Sequence, residues 1–200
     1  MDTNRMPRIA AAIIVVAAAP LMLAAARGST PPTQTPPVSS ATSIVVKITG
    51  AKQGAFKSEV TGRAGEIGKL GQIQGFGFQF ELKSPRDAAT GQASGKRQYL
   101  PITFTKEWGA ASPQLLQALS TNEILTSVEF DFVRPNALGE QTVYYTMKLT
   151  NATVSALRSY IGGAGTTDQR ALEDVSITFQ KIEVEDKEGK TMAMDDWRAL

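Results

Sequence analysis

The sequence predicts a mainly β fold, a barrel or sandwich with one short helix laid against it. Two observations carry the β assignment. Apolar and polar residues alternate in several separate runs, among them Ile44-Val46-Ile48, Val128-Phe130-Phe132 and Val175-Ile177-Phe179. That period of two is the pattern of strands with one buried face. Turn-forming runs such as Pro135-Asn136-Ala137-Leu138-Gly139 separate them. The third observation is a single change of period. After the alternation Leu100-Ile102-Phe104, the apolar residues Leu115, Leu116 and Leu119 fall at helical spacing.

Taken in order, the chain opens on a leader, residues 1–26. Arg5 and Arg8 precede an apolar run from Ile9 to Ala26, and Ala24 and Ala26 fit the small-x-small cleavage pattern. The run is short for a spanning helix and Pro20 interrupts it, so it reads as a signal peptide, with an uncleaved membrane anchor as the alternative. Residues 27–42 form a Pro/Ser/Thr-rich linker, stiffened by Pro31-Pro32 and Pro36-Pro37. The folded domain is expected over 43–200.

Its first strand is Ile44-Val46-Ile48. Gly62, Gly65, Gly68 and Gly71 follow at intervals of three. Collagen needs many more triplets with proline in them. A phosphate loop needs glycine at Arg63 and Ser or Thr at Leu70. The run is therefore an irregular connection. From Gln72 to Lys83 alternation returns, with Phe76, Phe78 and Phe80 on one face and Gly75 and Gly77 on the other, which predicts close packing on the glycine face. Ser84 to Gln98 is a long polar excursion carrying Arg86, Asp87, Lys96 and Arg97. Loops of that length carry function or lack order.

In the helix, Ser112 is the expected N-cap, Pro113 suits the first helical position, and Asn122 is a left-handed stop. Val128-Phe130-Phe132 and Val143-Tyr145-Met147-Leu149 make a hairpin across the 135–139 turn. Gly162-Gly163-Ala164-Gly165 is a further turn. In the final strand the apolar positions Val175, Ile177 and Phe179 are odd, while Ile182 and Val184 are even. That parity change predicts a β-bulge near Gln180-Lys181, of the sort that bends a strand and helps close a barrel. Asp186-Lys187-Glu188-Gly189 ends the strand, and Trp197 is expected to pack back on the domain.

Composition narrows the chemistry. The chain has neither cysteine nor histidine, and its net charge is +2. Disulfides, thiolate chemistry, His-based nucleophilic triads and ordinary zinc sites are thereby excluded. The scattered basic residues give no reason to expect nucleic acid. Glu129 with Asp131, and Glu183 with Glu185, share strand faces and could serve glycoside hydrolysis or bind calcium. Strict alternation already accounts for them as the wet side of amphipathic strands. No catalytic, cofactor-binding or metal-binding residue is singled out, and the chain is not expected to be an enzyme.

Three ordered stretches carry a family resemblance. Phe104-Thr105-Lys106-Glu107-Trp108 with Ser112-Pro113-Gln114-Leu115-Leu116-Gln117-Ala118-Leu119 is the first. Tyr144 to Thr150 before Val154-Ser155 is the second, and Glu173 to Phe179 before Lys181-Ile182-Glu183 is the third. Over roughly 43–184 the chain resembles the hemolysin-coregulated protein (Hcp) family, which forms the inner tube of bacterial type VI secretion systems. The resemblance implies a β-barrel of two antiparallel sheets with one short α-helix packed on the side. It also implies a homohexameric ring, ring stacking into a hollow tube, effector proteins as cargo and other components of the secretion system as partners. The loop bearing Arg86, Asp87, Lys96 and Arg97 is then expected to contact the next ring. The leader departs from the family pattern, because such proteins are made in the cytoplasm and leave through their own apparatus. The alternative is a binding module exported by the general secretory route, with the membrane touched only through an uncleaved leader.

Overall fold

The computed structural model of the chain describes residues 42–57, 72–162 and 169–198. The leader, nearly all of the linker, the glycine run and most of the 162–165 turn lie outside them. The first strands are β1 (Ser43–Gly50), β2 (Gly54–Ala55), β3 (Ile73–Gly75), β4 (Gly77–Gln79), β5 (Leu82–Lys83), β6 (Gln98–Tyr99) and β7 (Ile102–Glu107). After helix α1 (Ser112–Ser120) come β8 (Leu125–Pro135), β9 (Gln141–Ile161), β10 (Ala171–Thr178), β11 (Lys181–Asp186) and β12 (Thr191–Asp196).

Two antiparallel sheets share β9. Its first half pairs with β8 and β11, and β8 pairs onward with β1. Its second half pairs with β10, which pairs with β7, which pairs with β4. Between the halves Asn151 takes φ 51°, a left-handed residue that turns the strand from one sheet into the other. The parity change near Gln180 has the same origin. The chain leaves β10, breaks at Phe179-Gln180 and resumes as β11 on the other half of β9, so the expected bulge is a change of sheet. The register shift in β10 falls instead at Ser176/Ile177.

A second corner completes the circuit. The expected single strand 72–83 is split at Phe76: β3 pairs with β1 and β4 with β7. Close packing on the glycine face is present. A Cβ on Gly75 would lie 3.3 Å from Ile44 Cβ, and one on Gly77 would lie 3.0 Å from Thr105 Oγ1. Phe78 and Phe80 pack against the core, but Phe76 is turned outward at the corner under the Arg170 guanidinium, 4.9 Å from its ring centroid. The interior holds Ile44, Val46, Ile48, Phe104, Phe130, Leu149, Val175 and Ile177. Each such side chain contributes about 1.5–3 kcal/mol by burial.

The helix buries Leu115 and Ala118 against the barrel, with Ala111 beneath its first turn. Leu119 is partly buried, while Leu116 is 58% exposed and leaves the expected stripe. Its end is a Schellman motif: Asn122 N–H donates to Leu119 O, Glu123 N–H to Ala118 O, and Asn122 has φ 50°. Its start differs from expectation. Ala111 occupies the N-cap with no side-chain cap bond, and Ser112 is the first helical residue. The Ser112 hydroxyl is drawn down to the buried Lys106–Glu173 pair, donating to Glu173 Oε1 at 2.7 Å. β12 is a further strand with no counterpart in the sequence pattern, and Trp197 packs back on the domain as expected, its ring tilted against Tyr99 with centroids 5.7 Å apart.

Candidate functional site

The polar excursion folds into an ordered arm. β5 and β6 pair at its base, and an isolated bridge joins Arg86 to Ala93 further out. Asp87 builds the tip turn: its Oδ1 accepts from the N–H groups of Ala89 and Thr90 and from the Thr90 hydroxyl. These bonds hold the Asp87 carboxyl below the usual range, the Thr90 amide bond foremost. Gly91 takes φ 71° to close the turn, and Arg86 donates to its carbonyl at 3.2 Å.

The arm's root is clamped to the barrel. Arg97 makes a two-pronged ion pair with Asp195 on β12 and also donates to Asp196 O at 2.9 Å. The Tyr99 hydroxyl donates to Asp195 Oδ2 at 2.6 Å, while its ring lies among Phe80, Phe179 and Trp197. Burial, then the bond to Asp195, pushes the Tyr99 phenol up to about 12. Arg97, then Tyr99, holds the Asp195 carboxyl below its ordinary value. The charges predicted for this loop therefore divide. Arg97 is tied to the barrel and Asp87 to the tip turn, whereas Arg86 is exposed with one bond to the Gly91 carbonyl of its own arm, and Lys96 is exposed.

The clamp has a pH window. A raised phenol stabilises the fold below pH 10.0, its unfolded value, and that contribution is lost as pH climbs toward about 12. A lowered carboxyl stabilises above its unfolded value of 3.8, and the contribution is lost as pH falls through the folded value. Trp197 fluorescence in a Trp108→Phe chain should be flat across neutral pH and change at both limits. Loss of both changes in Asp195→Asn would tie them to the clamp; their persistence would count against it.

Three of the four residues in the acidic pairs are held by lysines. Lys47 Nζ lies 2.7 Å from both Glu129 and Asp131, and Thr146 donates to Asp131 at 3.0 Å. Burial opposes the Lys47 charge, but the Asp131 and Glu129 bonds outweigh it and raise its pKa. Glu183 is held by Lys181 at 2.6 Å, which keeps its carboxyl low. Glu129, Asp131 and Glu183 are thus each met by a lysine, while Glu129, Glu183 and Glu185 line a shallow cavity with Lys148 and Lys187. Among the described residues no cluster of three acidic or other metal-ligating side chains is gathered for an ion, and no helix is long and apolar enough to cross a membrane. What the sequence missed was the partner of Arg97, since nothing local links it to Asp195.

A family model described as "Type VI secretion system effector, Hcp" matches residues 46–185. The "Major exported protein" of Pseudomonas aeruginosa is 36% identical over 167 residues, covering 80% of this chain and 97% of that one. A crystal structure of an Hcp protein superposes with a TM-score of 0.71 at 27% identity, covering 78% of this chain and 99% of the other. A secreted Hcp protein from Pseudomonas aeruginosa superposes at 0.65 with 32% identity, covering 80% and 100%.

Proposed function

From the premise that this chain belongs to the Hcp family of type VI secretion proteins, we propose that it is a structural tube subunit. Protomers close into a hexameric ring, and rings stack head to tail into a hollow tube through which effector proteins travel. The observation that carries this reading is the match at 36% identity across nearly the whole of an exported relative. Two unlike faces of one protomer meeting around a rotation that closes is enough to build a ring. Its partners are copies of itself, effectors and other components of the secretion system; it is not an enzyme. Light scattering with negative-stain imaging tests it. Six-protomer mass and annular particles are expected, and a monomer at high concentration without annuli overturns the ring.

The arm contacts the neighbouring ring through Arg86 and Lys96. Arg86→Glu with Lys96→Glu is expected to shorten or abolish stacks in electron micrographs while single rings keep their mass. Unchanged stacking would remove the arm from that role.

One feature of the sequence favours a second reading. The leader pattern of residues 1–26 suits export by the general secretory route, giving a binding module outside a contractile machine. Fractionation separates the two. Full-length chain in the cytoplasm supports the tube, and a processed chain in the periplasm or medium supports the module.

A further inference from the structure

One sheet runs from β1 through β8, β9 and β11 to β12; β3 covers β1 over Ile44 to Val46, so its two open ends are the β1–β2 turn and β12. At the far edge β12 pairs with β11 alone, in unbroken register from Thr191 to Asp196. It contains no proline, no lysine and no bulge, and its charged residues sit at the end that Arg97 holds, Asp195 and Asp196, which leaves Thr191 to Met194 as the exposed stretch. Met192 and Met194 are 76% and 67% exposed there. They terminate two cross-strand rows on one sheet face: Lys47, Glu129, Lys148, Glu183, Met194, and Val45, Asp131, Thr146, Glu185, Met192. The β11–β12 hairpin is acidic, with six carboxylates against Lys181, Lys187 and Lys190 over 181–196. Arg97 and Arg134 neutralise Asp195 and Glu188 from outside it, and the balance stays negative.

The near edge has the opposite sign. Residues 43–57 hold Lys47, Lys52 and Lys57 and no acid of their own; one buried carboxylate, Glu123, lies beneath the turn at Lys52 and Gln53. Lys47 is held by Glu129 and Asp131, while Lys52 and Lys57 are exposed beside the short β2. Gly54 and Ala55, themselves exposed, offer no bulk that would keep an approaching strand away.

We propose that the acidic, methionine-bearing β12 edge of one protomer docks on the basic β1–β2 edge of the next copy, forming the lateral contact of the ring. The proposal rests on the ring reading and names its two surfaces. Opposite charges set the register, unbranched methionines fill the seam against small side chains, and a strand edge gains main-chain partners. Because the surfaces differ and lie at opposite edges of one sheet, the contact repeats from copy to copy, as a closed ring requires.

The absence of cysteine makes the test direct. The full chain carrying Lys52→Cys with Met194→Cys, treated with a flexible bis-maleimide, should lose its monomer band and give a ladder of covalent multimers ending at ring size. Either substitution alone should leave only monomer on the same gel. Separately, Lys52→Glu with Lys57→Glu should reduce the ring population about tenfold or more while the circular dichroism spectrum is unchanged. Self-linking of the Met194→Cys chain overturns the contact and leaves the ring. So does a doubly substituted chain that stays monomeric on the gel while light scattering still gives rings, and so do rings unaffected by the glutamates. Wild-type chain of single-protomer mass overturns ring and contact together.

Discussion

Glu173→Leu is expected to destabilise the fold by about 3–5 kcal/mol, the cost of stranding a buried charge by removing its counter-ion. Lys106 on β7 and Glu173 on β10 are directly opposed in register, 0% and 2% exposed, with Nζ and Oε1 2.7 Å apart. The Lys106 ammonium also donates to Glu107 O and to Ser112 Oγ, and Ser112 accepts from Gly109 N–H. Those bonds tie the entry of α1 to the middle of a sheet. Without the carboxylate, the ammonium loses the charged partner that faces it in register.

Removing both charges should behave differently. Lys106→Met with Glu173→Leu trades the pair for apolar volume, and buried pairs so replaced often cost nothing or gain stability. Urea unfolding near neutral pH decides. The single variant should show a much lower midpoint at an unchanged slope, and the double variant should recover most of the loss. A single variant within about 1 kcal/mol of wild type would mean that the pair is hydrated in solution.

The second large effect centres on Glu123, whose N–H closes the Schellman motif. It is 2% exposed, and its carboxylate accepts from Lys52 N–H at 2.7 Å, Gln53 N–H at 2.8 Å and the Gln53 amide at 2.9 Å. It therefore holds the β1–β2 turn against the end of the helix. Glu123→Ala should cost about 2–3 kcal/mol by orphaning those donors. Gly50 is its steric counterpart, because a Cβ there would lie 2.5 Å from Glu123 Oε1 and 3.2 Å from Phe56 Cε1. Gly50→Ala should cost about 1–3 kcal/mol by overpacking. The two losses should not add, since removing the carboxylate opens space for the methyl group. Strict additivity in a double-mutant cycle would refute the contact.

The same carboxylate gives an acid signature. Burial works to raise its pKa, but the Gln53 and Lys52 hydrogen bonds outweigh burial and hold it below the ordinary 4.5. A lowered folded value stabilises above the unfolded one, and that stability is lost as pH falls through the folded value. Glu123→Gln should therefore flatten the acid limb of stability against pH. Asp195 keeps part of the slope.

Where one face of a strand is buried, alternation exposed the element in the sequence: β1, β7, β8, the first half of β9 and β10 all follow it. β12 escaped because its Thr-Met-Ala-Met is exposed on both faces, and an element without a buried side leaves no periodic trace. Leu116 misled for the converse reason, since helical spacing names a stripe three residues wide and the barrel covers only part of it. Of the site, the charges on the arm were legible, but not which of them reach the barrel.

By itself the sequence determined the mainly β class, the short helix with its left-handed stop at Asn122, and the family signature on which the tube reading rests. Those properties are local, written in periodicity and in residues with narrow conformational preferences. Tertiary structure alone decided that Ser112 serves a buried ion pair instead of a cap, and that Phe76 and Asn151 are corners between sheets. It also decided that Arg97 answers Asp195, 98 positions away. Hydroxyls, charges and strand edges choose among competing partners by what folding brings within reach, and distance along the chain carries no record of that choice.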